Sequence, residues 1–237
     1  MALDFTYIVF YKPYDVLAQF TKERYEHVTL SNYLHIETDI YPVGRLDKDS
    51  EGLLILTNDK FLNQALLHPS SKKEKTYFVQ VDGDIQPKDV ELLSKGLNIN
   101  IDGKIYHTLP CLAKKLKKEP ILPERNPPIR VRKLIPTSWI MITLEEGKNR
   151  QIRRMCAKIN YPVLRLVRVQ MGEIKLGSLL PGQNRRLKQE EMYQLLNINM
   201  TAIKKDKAAQ KKALKQEKKP STPTFLQKKQ VTKKRKK

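Results

Sequence analysis

The chain has 237 residues, two cysteines, four histidines and a formal net charge of +21 at neutral pH. Two cysteines exclude a small secreted disulfide framework, and the scattered histidines leave no zinc constellation, so the sequence predicts a reducing cytoplasm and no metal. The N-terminus lacks a signal-peptide pattern and no apolar run is long enough to span a bilayer, so we expect a soluble, non-exported protein with no membrane partner.

The positive charge is uneven along the chain. Residues 201–237 contain 15 Lys and Arg against two acids, whereas residues 1–200 contain 31 bases against 23 acids. Such a chain fits a polyanionic partner such as RNA or a ribosomal surface, because each neutralised phosphate releases counterions. We predict a folded domain at 1–200 and a Lys-rich tail at 201–237 that is disordered, since it has little apolar surface to offset ordering entropy. Solubilisation and RNA contact fit that tail equally well.

The first elements are short. Residues 5–10 are aromatic and β-branched and predict a strand, and the alternating apolar residues at 16–20 predict a second one. A brief helix is predicted at 29–35, with Thr29 as its N-cap.

The most informative loop comes next. Residues 44–52 pack three carboxylates and two cations between glycines, directly before the buried strand predicted at 53–57. A solvated turn is the ordinary interpretation of such a loop. A calcium loop is set aside, because Asn58 stands where a bidentate Glu is needed. A metal-dependent nuclease cluster remains a minor alternative.

The middle of the chain predicts a helix that runs to Leu67 with Asn58 or Asp59 as its N-cap, and an alternating strand at 75–81. A second helix is predicted at 88–95, with Pro87 in its first turn and Gly96 at its end. Residues 97–137 carry six prolines and interleaved basic residues. They predict a segment rich in loops.

A strand is predicted at 138–145, followed by a helix at 150–159 with Asn149 as its cap. The apolar residues of this helix recur at helical spacing and must face the core: Ile152, Met155, Cys156 and Ile159. Arg150, Arg153 and Arg154 lie near its positive end, so a compensating anion is expected. Either a phosphate or the carboxylates of the 44–52 loop would supply it. Strands at 163–169 and 174–176 and a helix at 188–196 complete the prediction.

Three motifs in this order resemble the RsuA-type branch of the pseudouridine synthases. They are Gly44–Asp47 with Ser50–Leu54, then Lys75–Tyr77, then Glu146–Met155. The resemblance covers residues 5–185. It implies an α+β fold with a mixed, mostly antiparallel sheet, a central active-site cleft and flanking helices. It also implies a reaction without cofactors, in which the C1′–N1 bond of a uridine is broken and the base is rejoined through C5.

The substrate is implied by two further segments, 126–130 and 135–139, which are similar to the branch that modifies 23S rRNA in the peptidyl-transferase region of the large subunit. Most relatives carry an N-terminal S4 RNA-binding module. We expect none here, because the resemblance begins at residue 5. A monomer is the expectation for this family.

The resemblance also assigns roles to residues. Asp47 would attack C1′ or assist loss of a C2′ proton, because a carboxylate can do either and leave again. Lys148 would be the basic partner that keeps Asp47 ionised. Tyr77 would stack on the target base, although the strand pattern alone also fits an aromatic residue of the core. The expected substrate-binding residues are Arg45, Arg150, Ile152 and Arg153. Phosphate contacts are also assigned to Arg165 and Arg168, although a structural ion pair is nearly as good an interpretation for these arginines.

Two rival functions fit parts of the same pattern. A non-catalytic RNA-binding or ribosome-assembly protein would have the same charge. An N-glycosidase could use Asp47 and Glu51 as paired carboxylates, and it would release free uracil.

Overall fold

The structure is a computed structural model that describes residues 5–68, 71–130 and 135–199. The chain divides into two compact units, and the first, Met1–Ile198, contains all the helices and strands given below. The predicted tail at 201–237 lies outside the described residues. None of the described helices has the length and apolarity needed to cross a bilayer.

The described residues have an α+β architecture, as predicted, with eleven strands and four α-helices. The strands are β1 Tyr7–Lys12, β2 Tyr41–Pro42, β3 Glu51–Thr57, β4 Lys75–Asp82, β5 Asn98–Ile101, β6 Lys104–His107, β7 Leu112–Lys115, β8 Thr137–Leu144, β9 Val163–Met171, β10 Ile174–Lys175 and β11 Asn184–Leu187. The helices are α1 Lys60–Leu67, α2 Pro87–Lys95, α3 Gln151–Lys158 and α4 Gln189–Leu195.

One large sheet carries the fold, with the strand order β11-β1-β3-β9-β4-β8-β7. Within the described chain, β3 and β9 are the parallel pair and the other pairings are antiparallel. β9 therefore lies between β3, which follows the 44–52 loop, and β4, which carries Tyr77. This order brings the first two motifs to opposite sides of one strand.

The close approach of β3 to β9 requires a glycine. Gly52 has a φ of +103°, and a Cβ there would lie 2.2 Å from the backbone oxygen of Arg168. Any larger residue would push the two central strands apart at the point where the loop enters the sheet.

Two apolar clusters hold the sheet. One packs β1 and β3 against the segment before β2, with Phe10, Leu54 and Leu30 fully buried. The other packs β4 and β8 against α2 and α3, with Val79 and Met155 among its fully buried members. All seven residues of β3 are buried, and each buried aliphatic side chain contributes about 1.5–3 kcal/mol. The 44–52 loop is therefore attached to a rigid strand.

Several local predictions are confirmed. Asp59 caps α1, because its Oδ1 accepts hydrogen bonds from the backbone N–H groups of Phe61 and Leu62 at 3.0 and 3.4 Å. Its Oδ2 accepts from the Tyr7 hydroxyl at 2.7 Å and from the Tyr193 hydroxyl. α2 begins at Pro87 and ends at Gly96, as the sequence predicts.

Other local predictions are wrong. The strand expected at 16–20 is an isolated bridge between Leu17 and Thr29. The helix expected at 29–35 is a short 3₁₀ helix, Leu30–Asn32, although its N-cap is Thr29 as predicted. The segment 97–137, predicted to be rich in loops, also contains three strands that the sequence analysis did not predict, β5, β6 and β7. These strands are four residues long with few buried side chains, and they are held by pairing with each other and with β8.

Candidate active site

The loop between β2 and β3 presents Asp47 at the surface of the sheet. Gly44 adopts a φ of +72°, which lets the chain turn, and Leu46 is buried beneath the loop. The backbone N–H of Ser50 donates to the Asp47 carbonyl at 3.0 Å. These constraints leave the Asp47 carboxylate on the open side, with 36% of its side chain exposed.

A fully buried lysine supports this loop from below. The Lys12 ammonium donates to the backbone carbonyls of Pro13 at 2.8 Å, Val16 at 2.6 Å and Lys48 at 3.3 Å. Lys48 directly follows Asp47, so the bond to its carbonyl fixes the backbone that carries the acid. Burial lowers the pKa of Lys12 to about 7, against the opposing effect of nearby carboxylates, Glu51 first.

A second carboxylate of the loop binds two arginines of α3. Arg150 donates to both Asp49 oxygens, at 2.9 and 2.8 Å, and Arg153 Nε lies 3.3 Å from Asp49 Oδ2. Arg153 also donates to the Asp49 carbonyl. The anion expected at the start of this helix is therefore a carboxylate of the first motif.

These contacts lower the pKa of Asp49. Burial acts to raise that pKa, but the hydrogen bonds from Arg150 and the positive charge of Arg153 outweigh burial and hold the carboxyl below its usual range. Asp49 is consequently a stable anion that links the first motif to the third.

The expected N-cap of α3 is wrong. Arg150, not Asn149, is the capping residue, and it has a left-handed backbone with a φ of 50° and no side-chain cap bond. A non-glycine residue in this region is strained by about 1–3 kcal/mol. The bidentate bond to Asp49 accounts for the retention of this conformation.

The third carboxylate, Glu51, is inside the protein. It is 2% exposed and accepts two hydrogen bonds from Arg165, at 2.9 and 2.8 Å. Of the two interpretations given for Arg165, a phosphate contact and a structural ion pair, the structure therefore supports the ion pair. Glu51 is also occupied as a partner carboxylate, which removes the geometry that a glycosidase using Asp47 and Glu51 would need.

The metal alternative finds little support in the same geometry. Asp49 and Glu51 are both engaged by guanidinium groups. Over residues 5–68, 71–130 and 135–199, no group of three or more His, Cys, Asp or Glu side chains has an arrangement that could hold a metal ion.

A cavity of about 590 Å³ opens where the three motifs meet. Its volume lies in the range of ligand sites, about 300–1,000 Å³. Apolar walls include Leu17, Leu66, Leu144, Ile152 and Leu166. The Tyr77 side chain, 8% exposed, also lines it. Asp47 lines the same cavity, so a carboxylate and an aromatic ring share one space whose lining is polar as well as apolar.

The structure places six of the seven predicted site residues on this cavity. They are Arg45, Asp47, Tyr77, Lys148, Arg150 and Ile152. Arg153 is outside the lining, because it is turned towards Asp49 and the Val163 carbonyl. Arg45 donates to Gln19 Oε1 at 3.3 Å.

The cation beside Asp47 differs from the expected one. Arg150 Nη1 lies 3.8 Å from Asp47 Oδ2. The Lys148 ammonium instead lies 4.8 Å from the centre of the Tyr106 ring. In this structure the charge closest to the Asp47 carboxylate therefore comes from α3 and not from Lys148.

Several polar members of the cavity wall were given no site role by the sequence. Ser50 and Lys75 line the cavity, and each lies within a motif but was given no role of its own. Arg168, for which a phosphate contact or an ion pair was expected, also lines it and is only 4% exposed. The alternation of β9 indicates a buried strand but does not show which neighbour each arginine meets.

Comparison with known proteins identifies the family. A family model described as RNA pseudouridylate synthase matches residues 6–158. Ribosomal large subunit pseudouridine synthase E of Vibrio parahaemolyticus is 52% identical over 176 residues, which is 74% of this chain and 71% of that protein. The protein of the same name from Xanthomonas campestris is 44% identical over 172 residues, which is 73% of this chain and 90% of that protein.

A solved structure supports the fold. The crystal structure of a pseudouridylate synthase superposes with a TM-score of 0.66 at 22% sequence identity, and the match covers 81% of this chain and 74% of that one. The family model covers more than half of the chain, and relatives well above 30% identity match most of its folded part. The chain belongs to the RNA pseudouridylate synthase family.

Proposed function

We propose that this protein converts one uridine of 23S rRNA, in the peptidyl-transferase region, to pseudouridine. Family membership supports the reaction, and the names of the Vibrio and Xanthomonas relatives support a large-subunit substrate. The observation that carries the proposal is that Asp47 and Tyr77 line one cavity, together with several apolar side chains and several cations.

The reaction places a specific demand on Asp47. The C1′–N1 bond breaks with its electron pair on the uracil, the base turns, C5 attacks C1′, and the C5 proton is lost while N1 gains a proton. Asp47 either adds to C1′ or assists loss of a C2′ proton, and it must be ionised for both roles. Arg150 Nη1 lies 3.8 Å from Asp47 Oδ2, so a positive charge faces this carboxylate.

The cavity must enclose an extruded base. Base extrusion costs a few kcal/mol, and stacking on the Tyr77 ring offsets part of that cost. Ile152 and its apolar neighbours keep water away from the detached base, which prevents hydrolysis. Arg45, Lys148 and Arg150 are exposed at the cavity, so they are positioned to contact the phosphates of the RNA strand.

The proposed catalyst acts as a monomer in the cytoplasm, where rRNA is made. Residues of one chain provide every group that the proposed chemistry uses. Light scattering of the active protein tests the monomer, and a dimer mass at assay concentration would contradict it.

The test of the reaction is tritium release from RNA that contains 5-³H-uridine. We expect the wild type to release tritium without added metal and Asp47→Asn to release none, with an unchanged circular dichroism spectrum. Asp102→Asn is the matched control, because the Asp102 side chain is 85% exposed on the β5–β6 turn, and it should retain full activity.

The alternatives give different results in the same assay. A non-catalytic RNA-binding protein would bind the RNA and release no tritium. An N-glycosidase would liberate free uracil. Turnover by Asp47→Asn would contradict the assignment of the acid.

A further inference from the structure

Arg168 is a buried cation at the cavity wall without a carboxylate partner among the described residues. Its Nε donates to the Leu53 carbonyl at 2.7 Å, and its Nη2 is buried without a hydrogen-bond partner in the described part of the chain. Arg165, three residues earlier on the same strand, forms a bidentate pair with Glu51. Of these two buried arginines of β9, Arg165 thus has a carboxylate partner, whereas Arg168, at the cavity, has none among the described residues.

The position of Arg168 in the sheet places it beside the proposed base-binding ring. In the strand register Arg168 pairs with Tyr77 of β4 on one side and with Gly52 of β3 on the other. Side chains of directly paired residues emerge on the same face of a sheet. Both Tyr77 and Arg168 line the cavity, so a base stacked on Tyr77 would present its edge near the guanidinium.

A second cation reinforces the same wall. Lys75, two residues before Tyr77, lines the cavity and donates to the carbonyls of Lys73 at 2.7 Å and Glu145 at 3.1 Å. Burial, and after it the charge of Arg168, lower the pKa of Lys75 to about 8, whereas the Glu145 carboxylate acts in the opposite sense. The two cations are therefore close enough to repel each other.

Such an arrangement is costly in the free protein. A buried N–H group without an acceptor costs about 1–3 kcal/mol, and unpaired buried charges are retained in proteins chiefly at functional sites. Ser50 Oγ, at the same cavity, is also buried without a partner in the described part of the chain. The donors of this cavity wall, Arg168, Lys75 and Ser50, would therefore be satisfied by a ligand that carries acceptor oxygens and negative charge.

We propose that Arg168, supported by Lys75, donates a hydrogen bond to a carbonyl oxygen of the target uracil and stabilises the negative charge that develops on that base as the C1′–N1 bond breaks. This inference rests on the proposed function. The electron pair of the broken bond is delocalised over N1 and the carbonyl oxygens of the uracil, and it returns to C1′ through C5 when the base is rejoined. Arg168 stays protonated throughout and transfers no proton.

The burial of Arg168 favours the base over a phosphate as its ligand. Arg45 and Arg150 are exposed at the same cavity, whereas Arg168 is 4% exposed. Backbone phosphates remain near solvent, and the extruded base enters the buried part of the site. A fixed donor in a dry site is most effective where charge develops during the reaction.

The test compares two leaving bases under single-turnover conditions. RNA containing uridine and RNA containing 5-fluorouridine at the target are incubated with excess enzyme, and the loss of the original nucleoside is followed after nuclease digestion. Arg168→Met should slow the uridine reaction by about 10²–10³-fold, the usual effect of removing one such donor. Fluorine stabilises the departing uracil anion. The factor by which Arg168→Met slows the reaction should therefore be at least tenfold smaller with 5-fluorouridine than with uridine. Arg168→Lys should recover part of the rate.

The controls separate this proposal from other roles of Arg168. Arg186→Met changes an exposed arginine of β11 and should change neither rate. If Arg168→Met slows both substrates by the same factor and lowers the Tm, Arg168 has a structural role. If it slows both by the same factor and makes RNA binding weaker and less dependent on salt, Arg168 contacts a phosphate. Either result, or an unchanged rate, overturns the inference while the proposed function stands. A wild type that converts neither RNA overturns both.

Discussion

The carboxylate of Asp49 and the guanidinium of Arg150 form a bidentate pair, with distances of 2.9 and 2.8 Å, across 101 residues of sequence. The pair joins the loop that carries Asp47 to the first turn of α3. It also holds Arg150 within 3.8 Å of Asp47. The geometry of the proposed acid therefore depends on a neighbouring carboxylate that takes no part in the chemistry.

Asp49→Asn should weaken both the fold and the reaction. The variant keeps the side-chain volume but leaves Arg153, whose side chain is 13% exposed, without its anion. We expect a loss of about 1–3 kcal/mol in the free energy of unfolding and a roughly ten- to hundredfold lower tritium-release rate from misplacement of the loop. Urea unfolding and the tritium assay measure the two effects, with Asp102→Asn as the control.

The effect of Asp49 should also depend on pH. The pKa of Asp49 is lowered from 3.8 by its arginine partners, so its stabilising contribution is fully present above pH 3.8 and is lost as the pH falls through the lower, folded-state pKa. The stability difference between the wild type and Asp49→Asn should be constant from neutral pH down to that region and shrink below it. A difference that vanishes by pH 5 would contradict this role.

Glu51→Gln should be strongly destabilising, because it leaves Arg165 buried without a counter-charge and replaces one acceptor oxygen with an NH₂ donor. Arg165 and Glu51 side chains are 7% and 2% exposed, and breaking a buried pair costs about 3–5 kcal/mol. The double variant Glu51→Met with Arg165→Met should be less destabilised than Glu51→Gln, since no charge remains unpaired. Chemical unfolding of the two proteins and of the wild type measures this order. The reverse order would show that the pair is not electrostatically coupled.

Lys12→Met should loosen the loop beneath Asp47. Three backbone carbonyls lose their donor, and each unsatisfied buried acceptor costs about 1–3 kcal/mol. Burial lowers the pKa of Lys12 from 10.5 to about 7. Between pH 7 and pH 10.5, Lys12 is therefore more fully protonated in the unfolded chain than in the folded protein. Wild-type stability, relative to the variant, should therefore rise as the pH increases through that window. A flat difference from pH 7 to 10 would show that Lys12 stays charged in the fold.

Local physical chemistry accounts for the elements that the sequence predicts correctly. The run at 53–57, the cap at Asp59 and the apolar stripe of α3 each depend on residues within one or two turns of the chain. The structure finds β3 buried throughout, the Asp59 cap in place and Ile152, Met155 and Cys156 in the core. The resemblance to known motifs predicts more than local physical chemistry does, because it correctly gives the family and the class of fold.

Three strands escaped the prediction. β5 alternates polar and apolar residues from Asn98 to Ile101 but is only four residues long, and β6 and β7 have mostly exposed or half-buried side chains. β5 and β6 form a hairpin closed by Asp102 and Gly103, a local turn signal that the sequence analysis did not use. β7 is held by its pairing with β8, which lies farther along the chain, and a local pattern contains no information about such a partner.

The sequence by itself determined the buried strand, the helix faces, the basic character of the body and the three motifs of the family. Tertiary structure decided which charges meet. Glu51 and Arg165 are neutralised by each other, Asp49 is bound to α3, and Arg168 faces the cavity without a carboxylate in the described residues. These assignments depend on the order of strands in the sheet, because ion pairs form over a few ångströms in space between residues about a hundred positions apart.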